Sequence, residues 1–145
     1  MKPRIAITMG DPAGIGPEIV VKACAEREML DWCRPVVYGD AAVLRRAAAI
    51  VGTRAEIVEH GEPGAGRIVL VPGPALRLED VPFGRVGEAG SRAMAAYVRA
   101  AAGDVRGGRA AAMVTCPITK EGLKLAGEPY PGHTELLAAL CGGAV

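Results

Sequence analysis

Aromatic side chains are scarce: five of 145 residues carry a ring (Trp32, Tyr38, Phe83, Tyr97, Tyr130). Any core must therefore be aliphatic. Charge of one sign is also missing. Seventeen Lys and Arg against 16 Asp and Glu leave a formal net charge of +1, which removes the electrostatic footprint of a nucleic-acid binder or a polybasic membrane binder. Four cysteines (Cys24, Cys33, Cys116, Cys141) form no C-x-x-C pair, and there are only two histidines, His60 and His133. Zinc-ribbon, zinc-finger and thioredoxin-like readings thus lack their ligands or spacing. No apolar run approaches the roughly 18 residues of a spanning helix. The opening MKPRIAITMGDP is interrupted before a signal-peptide core could form. A cytoplasmic protein with reduced thiols is the expectation.

What is present is aliphatic and ordered. Half the residues are hydrophobic, so global disorder is excluded, and the length suits one domain, 1–145, with no internal boundary. Residues 4–9 (RIAITM) read as a buried strand, 10–18 (GDPAGIGPE) as a glycine loop, and a helix is expected from Pro17 with Ile19, Val20 and Ala23 on its apolar side. Residues 36–38 form a second strand, after which Asp40 can cap an alanine-rich helix to about Val51. Residues 55–59 and 67–71 are weaker strands around a turn at 60–66, and 72–83 reads as an irregular crossing segment. The spacing predicts a helix over 87–104, with Ala93, Met94, Tyr97, Val98 and Ala101 on one face. Residues 110–115 (AAAMVT) look like a central, fully buried strand. Thr119 then caps a short helix to Leu125, and Thr134 caps another over 135–140. Strands alternating with helices imply an α/β fold with a mostly parallel layered sheet, in which ligands gather at the carboxyl ends of strands.

Three loops fall there: 10–16, 116–120 and 130–135. The first is neither G-x-G-x-x-G nor a Walker A loop. It can bring backbone close to an anion at a helix start, or it can simply be a tight strand-to-helix turn. Lys120, just after a buried strand and a proline, can meet a phosphate or carboxylate or donate a proton; it can equally be a solvated surface charge. Cys116 reads as a small buried hydrophobe with no activating base nearby. His133 and Thr134 sit between Gly132 and a helix start, where both side chains can hydrogen-bond a polar ligand or hold the loop together. His60 reads as a turn residue.

Together, GDPAGIGPE after the first strand, TCPITKEGL and PGHTELLA closely resemble the 4-hydroxythreonine-4-phosphate dehydrogenase family, in order and spacing from Arg4 to Leu140. The first block is also similar to the GDGIGPE opening of the isocitrate and isopropylmalate dehydrogenases, and the resemblance implies their layered fold, here in part. It further implies NAD- or NADP-dependent oxidation and decarboxylation of 4-phosphooxy-L-threonine to 3-amino-2-oxopropyl phosphate in pyridoxal phosphate biosynthesis. A divalent metal (zinc, magnesium or cobalt) is implied, as is a two-fold homodimer. By motif, His133 and Thr134 match the family's substrate-binding pair, and Lys120 matches a lysine here assigned a substrate-binding or proton-transfer role. Cys116 and Thr119 depart from the residues usual in the family, which keeps threonate or erythronate 4-phosphate open as substrates. The family's three metal-binding histidines lie beyond Val145 in its longer chains, so residues 1–145 are expected to be an N-terminal portion without metal ligands, inactive alone and prone to associate through uncovered edges. A non-catalytic binding or assembly module is the competing reading from another class.

Overall fold

The computed structural model describes residues 1–142. Its element order is β1 (Arg4–Thr8), α1 (Gly16–Ala25), α2 (Arg27–Trp32), β2 (Arg34–Gly39), α3 (Ala41–Val51), β3 (Glu56–Val58), β4 (Arg67–Pro72), a 3-10 turn (Leu78–Asp80), α4 (Glu88–Arg106), β5 (Ala112–Thr115), α5 (Lys120–Leu125) and α6 (His133–Leu140). The five strands make one sheet in the order β3-β4-β2-β1-β5, parallel throughout. Ala6 sits opposite Val36 and Met113, and Ile7 opposite Val37 and Val114. All carboxyl ends therefore share one edge.

The helices form where local chemistry favours them. The Asp40 carboxylate accepts from the Val43 N–H at 3.0 Å, capping α3, and Gly52 in the left-handed region (φ 70°) ends it. The helix α4 presents Ala93, Tyr97 and Ala101 to a core that includes Ala6, Tyr38 and Val36. Its neighbouring stripe, Met94 and Val98, packs with Leu123 of α5 and Leu136 of α6 in a second small cluster. Thus one long helix carries both the sheet and the two short helices beside the carboxyl edge.

Several expectations change. The strand β5 is not central and fully buried. Among the described residues it pairs only with β1, so Ala112 is exposed and Val114 is 55% exposed. In α1 the buried face is Val20, Val21 and Cys24, while Ile19 turns outward at 43% exposure. Thr134 does not cap α6. The helix begins two residues earlier than expected, at His133, with Gly132 as its extended N-cap and no side-chain cap bond. The six-residue α2 was not anticipated.

Candidate functional site

Two loop clusters occupy the carboxyl edge of the sheet. The first follows β1. Gly10 has φ 73°, and a Cβ on it would lie 2.4 Å from the Pro117 carbonyl oxygen. A Cβ on Gly16 would lie 2.1 Å from the Met9 carbonyl oxygen and 3.0 Å from Cys116 Cβ. These glycines let the strand ends approach each other. Three of the loop's donors are engaged as well. Asp11 N–H donates to the Pro117 carbonyl at 3.0 Å and Gly14 N–H to the Asp11 carbonyl at 3.0 Å, while Ala13 N–H donates to Asp11 Oδ1 at 2.9 Å. Arg46 of α3 fastens the loop from outside, donating to the Pro12 and Val81 carbonyls at 2.9 Å each. Its guanidinium lies 4.1 Å from the centre of the Phe83 ring. The observed arrangement is the tight turn, with the Asp11, Ala13 and Gly14 N–H groups bonded to neighbouring oxygens.

The second cluster follows β5. Cys116 is buried at 7% exposure, and burial pushes its thiol pKa up, which suits an inert hydrophobe rather than a nucleophile. Thr119 Oγ1 accepts from Gly122 N–H at 2.9 Å, the predicted cap of α5. This cap sets Lys120 as the first residue of that helix. Gly122 is needed too, because a Cβ there would lie 2.9 Å from Met94 Cε and 2.7 Å from Thr119 Oγ1, so α5 lies tightly on α4.

The structure brings Lys120, His133 and Thr134 to one cleft of about 490 Å³, walled by Pro117, Pro131 and Leu123. The Lys120 stem passes Gly132, with Cε 3.9 Å from where a Gly132 Cβ would stand. That Cβ would also lie 2.8 Å from Glu135 Oε2, so glycine admits the Glu135 carboxylate over the first turn of α6. Thr134 is exposed. His133 is part-buried, and its Nε2 is sealed without a hydrogen-bond partner. Burial lowers its pKa, so the imidazole is neutral at neutral pH. His60 is exposed, in the turn between β3 and β4, and takes no part.

The cleft can recognise an anion. The first N–H groups of α6 lack intrahelical acceptors and have no side-chain cap, and the Lys120 ammonium stands beside them. Among the described residues no group of three His, Cys, Asp or Glu side chains could hold a metal ion. Sequence reasoning missed Arg46, whose alanine-rich helix carries no signal of its role. It also missed Lys124, which lines an adjoining cleft with Lys120 and was signalled by the spacing of four between the two lysines.

Residues 31–145 match the family model described as "Pyridoxal phosphate biosynthetic protein PdxA". A 4-hydroxythreonine-4-phosphate dehydrogenase of Trichlorobacter lovleyi is 40% identical over 97% of this chain and 44% of its own length. A protein of Oceanobacillus iheyensis, named provisionally as a D-threonate 4-phosphate dehydrogenase, is 38% identical over 96% of this chain and 43% of its own. Among solved structures, a 4-hydroxythreonine-4-phosphate dehydrogenase from Burkholderia phymatum superposes with a TM-score of 0.93 at 39% identity, covering 100% of this chain and 45% of that one. A terephthalate 1,2-cis-dihydrodiol dehydrogenase from Burkholderia xenovorans superposes with a TM-score of 0.69 at 35% identity, over 91% of this chain and 39% of that one. The chain thus spans less than half the length of the relatives it matches.

Proposed function

Because the chain belongs to the family of the pyridoxal phosphate biosynthetic protein PdxA, we propose that it forms one wall of the substrate site of an NAD(P)-dependent, metal-requiring dehydrogenase. The substrate is 4-phosphooxy-L-threonine, oxidised and decarboxylated to 3-amino-2-oxopropyl phosphate. The working enzyme is a cytoplasmic homodimer. The observation that carries this reading is that Lys120, at the start of α5, and the adjacent pair His133 and Thr134, at the start of α6, line one cleft at the carboxyl edge of a parallel sheet.

In this reading each residue does work a static wall can do. The N-terminal turn of α6 and the Lys120 ammonium hold the substrate's anionic group once the Glu135 side chain, which lies over that turn, swings aside. Thr134 offers a hydroxyl that both donates and accepts. The neutral His133 ring keeps Nε2 closed off and unpartnered; a turn of the ring that brings this nitrogen to a substrate polar group removes the cost of leaving it unsatisfied. Lys120 is also the residue here that can pass a proton to bound substrate. Among the described residues no three His, Cys, Asp or Glu side chains cluster as metal ligands, and no metal or hydride step is assigned to this wall.

The test is a titration of the chain with 4-phosphooxy-L-threonine, followed through the carbon-bound protons of its two histidines by NMR. The His133 resonances should move and saturate while those of exposed His60 stay still, and Thr134→Ala should weaken the effect. Equal drift at both histidines, or none, would overturn the reading. A second substrate, D-threonate 4-phosphate, is favoured by the Oceanobacillus relative, whose 38% identity is close to the 40% of the Trichlorobacter protein. Running both ligands side by side ranks them.

A further inference from the structure

A second cleft, of about 570 Å³, adjoins the first, and both are lined by Lys120 and Pro131. Lys124 follows Lys120 by about one helical turn on α5, about 6 Å of rise, and its side chain lines this second lobe. The lobe's other charges are Glu121 and Glu128. Glu128 is already engaged: its carboxylate is 7% exposed and accepts two hydrogen bonds from Arg99, at 2.8 and 2.5 Å. Exposed Glu121 is then the acid of this lobe left without an ion-pair partner among the described residues, while Glu135 lines the first cleft with Lys120. Part-buried Tyr130 closes the far side.

Resting on the proposed reading of the first cleft, we infer that Lys124 determines specificity by selecting ligands with two acidic ends. One end sits at the first turn of α6 with Lys120. The other crosses the shared lysine and meets Lys124 in the second lobe. A short acid phosphate has two such ends, and its carbon chain spans one helical turn. A ligand with a single anionic group fills only the first lobe and gains nothing from Lys124. Because both lysines are exposed, the interaction is screened by salt and modest, about fivefold in affinity at low ionic strength.

The experiment uses the full chain and two probes, inorganic phosphate and 4-phospho-D-erythronate, titrated by calorimetry at low salt. The expected result is tighter binding of 4-phospho-D-erythronate, weakened about fivefold by Lys124→Gln and kept by Lys124→Arg, with phosphate binding the same in all three proteins. Circular dichroism of each variant guards against a folding defect at this solvent-facing position. Phosphate binding with no preference for the two-ended probe overturns this inference alone. Equal weakening of both probes by Lys124→Gln also overturns it, since that is a general field effect. Absence of binding by either probe overturns it together with the reading of the first cleft.

Discussion

The two glycine-bearing loop clusters at the carboxyl edge of the sheet look alike in sequence and behave oppositely in the fold. In the loop after β1 Gly10 and Gly16 are hemmed in by neighbours: Met9, Cys116 and Pro117 stand where a Cβ would go, and the Asp11, Ala13 and Gly14 N–H groups bond within the fold. Around α6 the glycine opens space. Gly132 is an extended N-cap that leaves the helix's first turn facing a cleft. A glycine-rich loop beside a helix is therefore ambiguous until one asks what occupies the missing Cβ. Where backbone does, the glycine holds the fold; where solvent or a flexible side chain does, it serves a ligand.

The sharpest way to break this comparison is Gly16→Ala. Its Cβ would meet a main-chain carbonyl oxygen at 2.1 Å, and neither partner can swing aside as a side chain could. We expect a loss of about 3 kcal/mol or more in urea unfolding. An unchanged midpoint would show that the loop has slack the contacts deny. Gly132→Ala meets chiefly the mobile end of Glu135, so it should unfold near the wild-type midpoint and be read in ligand affinity instead.

Much of the architecture was legible because local chemistry and tertiary packing agree. The α4 stripe of Ala93, Met94, Tyr97, Val98 and Ala101 is buried as the spacing predicts, and Asp40 and Thr119 cap the helices expected of them. The three motif residues Lys120, His133 and Thr134 do line one cleft. What was not legible depends on neighbours. The run AAAMVT has the same composition whether one strand or two flank it, so the exposure of Val114 could not be read from it. At α6, the Thr134 capping signal lost to Gly132 because an extended glycine two residues earlier starts the helix with His133 tucked partly inside. The outward turn of Ile19 follows from where β4 and α3 pack on α1, which is a property of the assembled layer rather than of the helix.

Arg46 sharpens the same contrast from the other side, since it holds the closed loop but touches nothing in the cleft. Replacing it with alanine removes two charge-assisted bonds to the Pro12 and Val81 carbonyls and the stacking on Phe83. A loss of about 2 kcal/mol is expected by denaturant titration. Arg46→Lys should recover little of it, because a single ammonium cannot reproduce the planar fork that reaches both carbonyls and the ring. Full recovery by lysine would mean that charge alone fastens the loop.

The smallest effect concerns the open cluster and has a definite sign. Burial lowers the His133 pKa in the fold, whereas in the unfolded chain the imidazole titrates near its ordinary value of about 6.5. As pH falls through that value the unfolded state takes up the proton first, so stability is lost on acidification and is level above it. Lys120 and Glu135, which share the cleft, bring charges of opposite sign to the same ring. The check is the unfolding midpoint of wild type and His133→Gln at pH about 5.5 and 7.5. Wild type should lose more stability between those values than the variant, because the variant carries no group there to protonate. An equal loss in both would place the acid sensitivity in the carboxylates and leave His133 without the buried, neutral character on which its place in the cleft depends.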